Sequence, residues 1–245
     1  MQFGKPFSFV FEDPDWIKKL AILALLGFAQ LIPVLGSIFM ALVFSGVMID
    51  IVRKLINKQT PTIPNLEIGT QVMDGLKFWV VGVVYSLPAI LLAIIMTIIG
   101  VVGGVSGFSI ADNSSVNTGG VLAVVLVILM SCVGLIMVLY CLLIAFVTPA
   151  FLGRYAQYGT ISSALNFREV FKAAFKKPVS YLMAFLGVIV VGIVGGIAVS
   201  ILSAVGTIAL GIGSLYGMAL GTLWISLATG HFYGQAYNES IEEVL

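Results

Sequence analysis

The chain has 245 residues, of which 60% are hydrophobic and only 9% charged, against about 25% charged in an ordinary soluble domain. That balance excludes a water-soluble globule, and a formal net charge of +1 from 12 Lys+Arg and 11 Asp+Glu supplies no overall field to recruit nucleic acid. Two cysteines and one histidine exclude a disulfide framework, a Cys/His zinc cluster and a pair of axial haem ligands from this chain alone.

The opening segment alternates Phe7, Phe9 and Phe11 and then presents Asp13-Pro14-Asp15-Trp16. Asp13 is the expected N-cap, Pro14 the first helical position, and Trp16, Lys18 and Lys19 the first group at the lipid interface. Glu12, Asp13 and Asp15, with no small-residue cleavage site after the apolar run, argue against a cleavable signal peptide, so the first helix is expected to stay as an anchor. The uncharged run 20–49 is interrupted at Ile32-Pro33-Val34-Leu35-Gly36. It could be one tilted span or two short helices. Lys5, Lys18 and Lys19 precede it, and Arg53, Lys54, Lys58 and Lys77 follow; a hairpin turning at Pro33 keeps all of them on the cytoplasmic side, whereas a single crossing separates them. Helices are therefore expected over 17–32 and 36–56. The first, at 16 residues, is short for a crossing of roughly 20 residues, and a re-entrant hairpin is the alternative.

After Pro61 and Pro64 impose an extended stretch, Asp74-Gly75-Leu76-Lys77 leads through Trp79 into a span over 76–100. Residues 101–120, rich in Gly, Ser and Asn, read as a flexible outer link; its Asn113-Ser114-Ser115 glycosylation pattern is assigned no function. A return span is expected over 121–152, bringing Arg154, Arg168, Lys172, Lys176 and Lys177 inside. From 162 to 177, Leu165, Phe167, Phe171, Ala174 and Phe175 fall on one helical face while Arg168, Lys172 and Lys176 follow at i, i+4, i+8 on another. This pattern fits an interfacial helix lying apolar side down on the inner leaflet. It is read either as a basic connector or as a site for anionic lipid. The uncharged run 178–238 is too long for one crossing, and turn signals at Ser203, Gly206, Gly211 and Gly213 divide it into spans near 179–202 and 209–236.

The expected fold is an all-α integral membrane protein, one polytopic domain over 1–245, with about six transmembrane helices arranged as three hairpins, each introduced by an amphipathic cytoplasmic segment. All twelve Lys and Arg residues then lie in the cytoplasm, as do both termini, and Asp112 is the one charge outside.

The stretches Phe11-Glu12-Asp13-Pro14-Asp15-Trp16-Ile17-Lys18-Lys19-Leu20, Leu31-Ile32-Pro33, Asp74-Gly75-Leu76-Lys77 and His231-Phe232-Tyr233-Gly234-Gln235-Ala236-Tyr237 together make the chain resemble an uncharacterised prokaryotic family of multi-pass membrane proteins, domain of unknown function 4013. The resemblance runs over almost the whole chain, and its most specific part is the opening Asp-Pro-Asp-Trp-Ile-Lys-Lys. It implies a bacterial or archaeal inner-membrane protein with several spans. The family carries no assigned reaction, so the resemblance transfers no catalytic residue.

An ionisable residue in mid-span would mark a functional site, and none is found. Asp50 with Arg53, and Asp74 with Lys77, stand three residues apart and read as interfacial ion pairs. His231 near the inner end of the last span could ligate a pigment or haem with a partner chain's help; otherwise it is a hydrogen-bonded interfacial histidine. Cys132 and Cys141 read as small packing residues. Gly104-Val105-Ser106-Gly107 lacks the GKS or GKT that would make it a phosphate loop. No catalytic residue, metal site or resident cofactor is expected.

Glycine, at 27 residues, is the unusual resource. Gly213, Gly217 and Gly221 form a ridge at four-residue spacing, and Gly192 and Gly196 repeat that spacing on the preceding helix, where small residues let backbones approach. The ridge is expected to join the last two helices or, alternatively, to face a partner subunit; Ala219, on a different face, should tolerate a bulky residue. The functional expectation is a non-catalytic accessory or organising subunit, with a passive small-solute transporter or channel as the alternative. Its surroundings would be the bilayer with its anionic lipids and either a membrane-protein partner or a second copy of the chain.

Overall fold

A run of apolar residues with few helix breakers forms helix almost everywhere, because a backbone inside hydrocarbon must satisfy its own N–H and C=O groups. The computed structural model describes residues 1–32, 34–110, 116–210 and 213–241, with side chains for these except 102–110, 116–123, 209 and 210. Among the described residues it is all-helical: α1 (Lys5–Ser8), α2 (Trp16–Ala24), α3 (Leu35–Ile56), α4 (Ile68–Ile110), α5 (Val116–Tyr158), α6 (Ile161–Ala164), α7 (Phe167–Lys176), α8 (Pro178–Leu210) and α9 (Gly213–Ile241). Two 3-10 stretches, Phe9–Glu12 and Leu25–Leu31, join the first elements. Four helices are long and apolar enough to cross a membrane, over Leu35–Ile56, Ile68–Val101, Val124–Tyr158 and Pro178–Ile208. They mark the chain as a membrane protein.

The chain divides into two compact units, Met1–Val81 with Phe146–Leu245, and Gly82–Ala145. In the first, the reversal expected at Pro33 is made in part by Val34, whose φ of +63° is rarely adopted by a β-branched residue; Pro33 itself lies outside the described residues. The two arms of this hairpin touch backbone to backbone, since a Cβ on Gly36 would lie 1.7 Å from the Ala29 carbonyl oxygen. Across both arms runs α9. Leu223 and Leu227 of α9 are fully buried with Leu23, Val43, Phe44 and Val47, and Phe9 and Val10 close the same core. α3 ends at Lys58, φ +55°, with the Gln59 N–H donating to the Lys54 carbonyl at 2.9 Å, the six-to-one bond of a Schellman end. Gly159, φ +69°, ends α5 by donating its N–H to the Tyr155 carbonyl; without a Cβ it takes this left-handed conformation at little cost.

Helix boundaries differ from the sequence reading, most of all at the first helix, at the 101–120 link and at the turn between the last two spans. The first predicted helix, 17–32, is an α-helix only to Ala24 and continues as 3-10. The link expected over 101–120 is helical up to Ile110 and again from Val116, while 111–115, including the Asn113 pattern, lies outside the described residues. Ser203 and Gly206 do not turn the chain: α8 continues to Leu210, because the Ser203 carbonyl accepts from Thr207 Oγ1 and the Gly206 backbone packs on Gly213. Gly211 falls outside the described residues.

In the second unit, Gly82–Ala145, long apolar side chains point away from the chain: Leu91, Ile98, Val127 and Leu135 are 60%, 57%, 63% and 61% exposed. Hydroxyls there fold back on their own helices. Ser86 donates to the Gly82 carbonyl, Thr97 to Ala93 and Ser131 to Val127, the i−4 pattern that hides a hydroxyl from hydrocarbon. Tyr140 donates to the Tyr85 carbonyl at 2.6 Å. Cys132 and Cys141 are exposed, which corrects their reading as packing residues.

Candidate functional site

Polar chemistry in the first unit collects in three clusters, each held by one of the lead-in segments. In the first, Asp13 is 3% exposed. Its Oδ2 accepts from Lys19 Nζ at 2.7 Å and from the Ile63 N–H at 3.0 Å, and its Oδ1 from the Asp15 N–H at 3.0 Å. Burial alone would raise the carboxyl, but the Lys19 ion pair and the two amides outweigh it and hold Asp13 below the usual carboxylate range. Asp15, not Asp13, occupies the cap position of α2, and does so without a side-chain bond; Asp13 instead fixes the turn ahead of it. Lys19 is thereby held in an ion pair, while Lys18 is exposed and Trp16 half-buried with its ring edge-on to Phe11 at 5.2 Å.

In the second cluster Arg53 joins two carboxylates, Nη1 to Asp50 and Nη2 to Asp74, each at 2.9 Å. Asp74 also accepts from the Tyr155 hydroxyl at 2.7 Å. The Asp50–Arg53 pair is where the spacing put it. Asp74 differs: its partner is Arg53, not Lys77, because α4 crosses α3 closely enough for a Cβ on Gly75 to lie 2.0 Å from the Leu42 carbonyl and one on Gly46 to lie 2.1 Å from that of Gln71. Gly46 and Gly75 sit on different helices, so no repeat within one helix betrayed this crossing.

The third cluster surrounds α7, which starts at an Asn166 cap whose side chain accepts from the Glu169 N–H. The amphipathic segment is shorter than the expected 162–177, with Ile161–Ala164 a separate turn. Its apolar residues divide between two duties. Val170 and Ala174, one turn apart, are buried, whereas Phe167 and Phe175 are 48% and 57% exposed; Phe171 stacks on Phe175, which also meets Phe146 at 5.7 Å. Arg168 and Lys172 are exposed, Lys177 is half-buried, and Lys176 donates to the Ser240 carbonyl at 3.0 Å.

Lys172 and Lys176 share a cavity of about 630 Å³ with Lys58, Arg154 and Glu169, and with Gln157, Tyr158, Tyr237 and the C-terminal turn of α9 among its other walls. Arg154 is fixed on both sides: Nε donates to the Ser163 carbonyl at 3.0 Å, and the guanidinium lies over the Tyr158 ring at 5.3 Å from its centre. Gln157 accepts from the Tyr237 hydroxyl at 2.6 Å, and Gly153 admits the Tyr237 ring where a Cβ would lie 2.1 Å from it. The sequence reading named the cations of α7 but had no means of bringing Lys58 or Arg154 to them.

His231 is 2% exposed, with Phe9 against its ring at 4.7 Å. Gln235 Oε1 accepts from the Gln2 N–H, which turns the amide nitrogen of Gln235 toward His231 Nδ1 at 2.8 Å. With Nδ1 accepting that bond, Nε2 carries the ring proton and has no hydrogen-bond partner among the described residues.

Gly213, Gly217 and Gly221 lie against α8: added Cβ atoms would sit 2.7 Å from the Gly206 oxygen, 2.6 Å from the Leu202 oxygen and 2.4 Å from Val199 Cγ2. Gly192 and Gly196 meet nothing within 4 Å in this chain, so they make no contact with α9; Gly187 and Gly195, turned toward α9, meet Phe232 and Ile225 instead. Ala219 is fully buried with Gly27 beside it, so its expected tolerance to bulk is also corrected.

Residues 25–204 match the model of a family described as a protein of unknown function, DUF4013. The match begins after the Asp13-Pro14-Asp15-Trp16 opening and stops before His231. No curated protein and no solved structure matches the chain.

Proposed function

The chain belongs to DUF4013, a family of proteins of unknown function, and on that footing we propose that it is a non-catalytic integral membrane protein acting as an accessory or organising subunit of a larger membrane complex. The observation that carries this reading is the bare apolar surface of residues 82–101 and 124–145. None of the most apolar window of Val124–Tyr158 is buried within the chain, and 11% of that of Ile68–Val101. Helices with so little intrachain packing are covered by lipid or by another protein's helices. Their hydroxyls are engaged with their own backbones, so a passive solute path draws no support from them.

In this reading six helices cross the inner membrane as three hairpins, with both termini in the cytoplasm. The short first span is helped by its 3-10 continuation, since the larger rise of that helix lets Trp16–Leu31 reach about 28 Å, close to the roughly 30 Å hydrocarbon thickness. The glycine ridge of α9 serves as a packing surface for α8. Arg53 and Asp13 tie the lead-in segments together at the cytoplasmic face. Extraction from the native membrane in a mild detergent tests the proposal: a stoichiometric co-migrating membrane protein supports it, and migration of the chain alone, at monomer size, counts against it.

A further inference from the structure

Among the described residues, the cavity between α5, α7 and the C-terminal turn of α9 gathers four cations, Lys58, Arg154, Lys172 and Lys176, with one carboxylate, Glu169. They come from three separate stretches of chain, Lys58 after α3, Arg154 on α5 and the two lysines on α7, so the concentration of charge is a product of the fold and not of one basic helix. We propose that this cavity is a binding site for a phosphate group carried on an organic body, as in the headgroup of an anionic phospholipid or a soluble phosphate ester. The proposal stands apart from the accessory-subunit reading and does not require a protein partner.

Several features favour phosphate. Arg154 is held in place by Ser163 and Tyr158, while its terminal nitrogens make no hydrogen bond with other described residues. A planar fork fixed in advance loses little freedom when it takes up two phosphate oxygens. Lys172 is exposed on the same cavity wall and supplies a second cation for the remaining charge. The volume, about 630 Å³, falls in the range of sites that hold a molecule much larger than a bare anion. Ile56, Ala173 and Ile241 add apolar wall to the same cavity, suited to the organic part. Arg168 provides a built-in comparison: it lies on the same helix with the same charge, yet is not part of the cavity lining.

The test uses the full-length protein in a neutral maltoside detergent, titrated calorimetrically with dihexanoyl phosphatidic acid, dihexanoyl phosphatidylcholine and inorganic phosphate. Phosphatidic acid should bind at one saturable site and phosphatidylcholine should not. Lys172→Gln, at an exposed position that leaves the fold intact, should weaken the binding by about tenfold, the effect of one charge-assisted hydrogen bond, while Arg168→Gln should change it less than twofold. Binding by phosphatidic acid alone identifies a lipid headgroup. Equal dependence of inorganic phosphate on Lys172 identifies a soluble phosphate compound, and either result upholds the site. The proposal is overturned if neither phosphate probe saturates, if phosphatidylcholine binds as tightly as phosphatidic acid, or if Arg168→Gln weakens binding as much as Lys172→Gln.

Discussion

The carboxylate of Asp13 accepts a hydrogen bond at 3.0 Å from the backbone N–H of Ile63, fifty residues further along the chain. This contact ties the segment that enters the first helix to the segment between α3 and α4, and it gives the Asp13-Pro14-Asp15-Trp16 opening a structural reason to exist. The folded Asp13 carboxyl lies below its ordinary value, so its contribution is complete above the unfolded value of about 3.9 and is lost as pH falls through the lower folded one. Thermal melts in detergent should therefore lose stability below about pH 4. Asp13→Asn should cost about 1–3 kcal/mol at pH 7 and remove that part of the acid dependence; a variant as stable as the parent would refute the role.

Arg53 and Asp74 should be energetically coupled. Arg53→Gln leaves Asp50 and Asp74 without their shared cation, and Tyr155→Phe takes the second donor from Asp74. Each should destabilise by about 1–3 kcal/mol. In a double-mutant cycle, Arg53→Gln with Asp74→Asn should recover part of the loss, with a coupling of at least about 0.5 kcal/mol. Strict additivity would mean that the network is held by its surroundings and not by the ion pair.

Glycines on α8 and α9 should respond with opposite signs. Gly217→Leu would push its side chain into the Leu202 carbonyl and should abolish folded monomer in detergent. Gly192→Ala meets nothing within 4 Å and should stabilise by roughly 0.5–1 kcal/mol through helix propensity. Met218, 36% exposed, is the control for bulk on α9: Met218→Leu should be neutral. If Gly217→Leu folds as well as Met218→Leu, the close approach of α8 and α9 is wrong.

Topology is open to impermeant thiol labelling in intact cells, after replacement of Cys132 and Cys141 by alanine. Cysteines at Ser8, Thr60 and Thr160, all exposed, should be shielded, and one at Ser114 should react. Ser240 is unsuitable as a reporter because it is 3% exposed. Labelling at Ser8 with protection at Thr60 would mean that the first hairpin is a single crossing.

The apolar helices were legible because a charge-free run of about 20 residues has few other folds open to it; α3, expected over 36–56, occupies Leu35–Ile56. Pairings across helices were not. Asp74 was read with Lys77 on its own helix, while its real partners, Arg53 and Tyr155, lie on α3 and α5, beyond the reach of an i, i+3 rule. The same limit explains Gly192 and Gly196: a four-residue spacing fixes which residues share a face, but not whether that face meets α9 or open space. The cavity was hidden for the same reason, since Lys58 and Lys172 are brought together only by the packing of α3, α5, α7 and α9.

The central claim is that the exposed face of residues 82–101 and 124–145 is occupied by another membrane protein or by a second copy of the chain. Photo-crosslinking in native membranes from a benzoylphenylalanine placed at Leu135, 61% exposed, addresses it directly, with Val47, fully buried, as the inward-facing control. A discrete protein adduct of fixed mass from Leu135, absent from Val47, is the predicted result. Adducts to lipid alone at Leu135, with the chain otherwise running as a monomer, would contradict it.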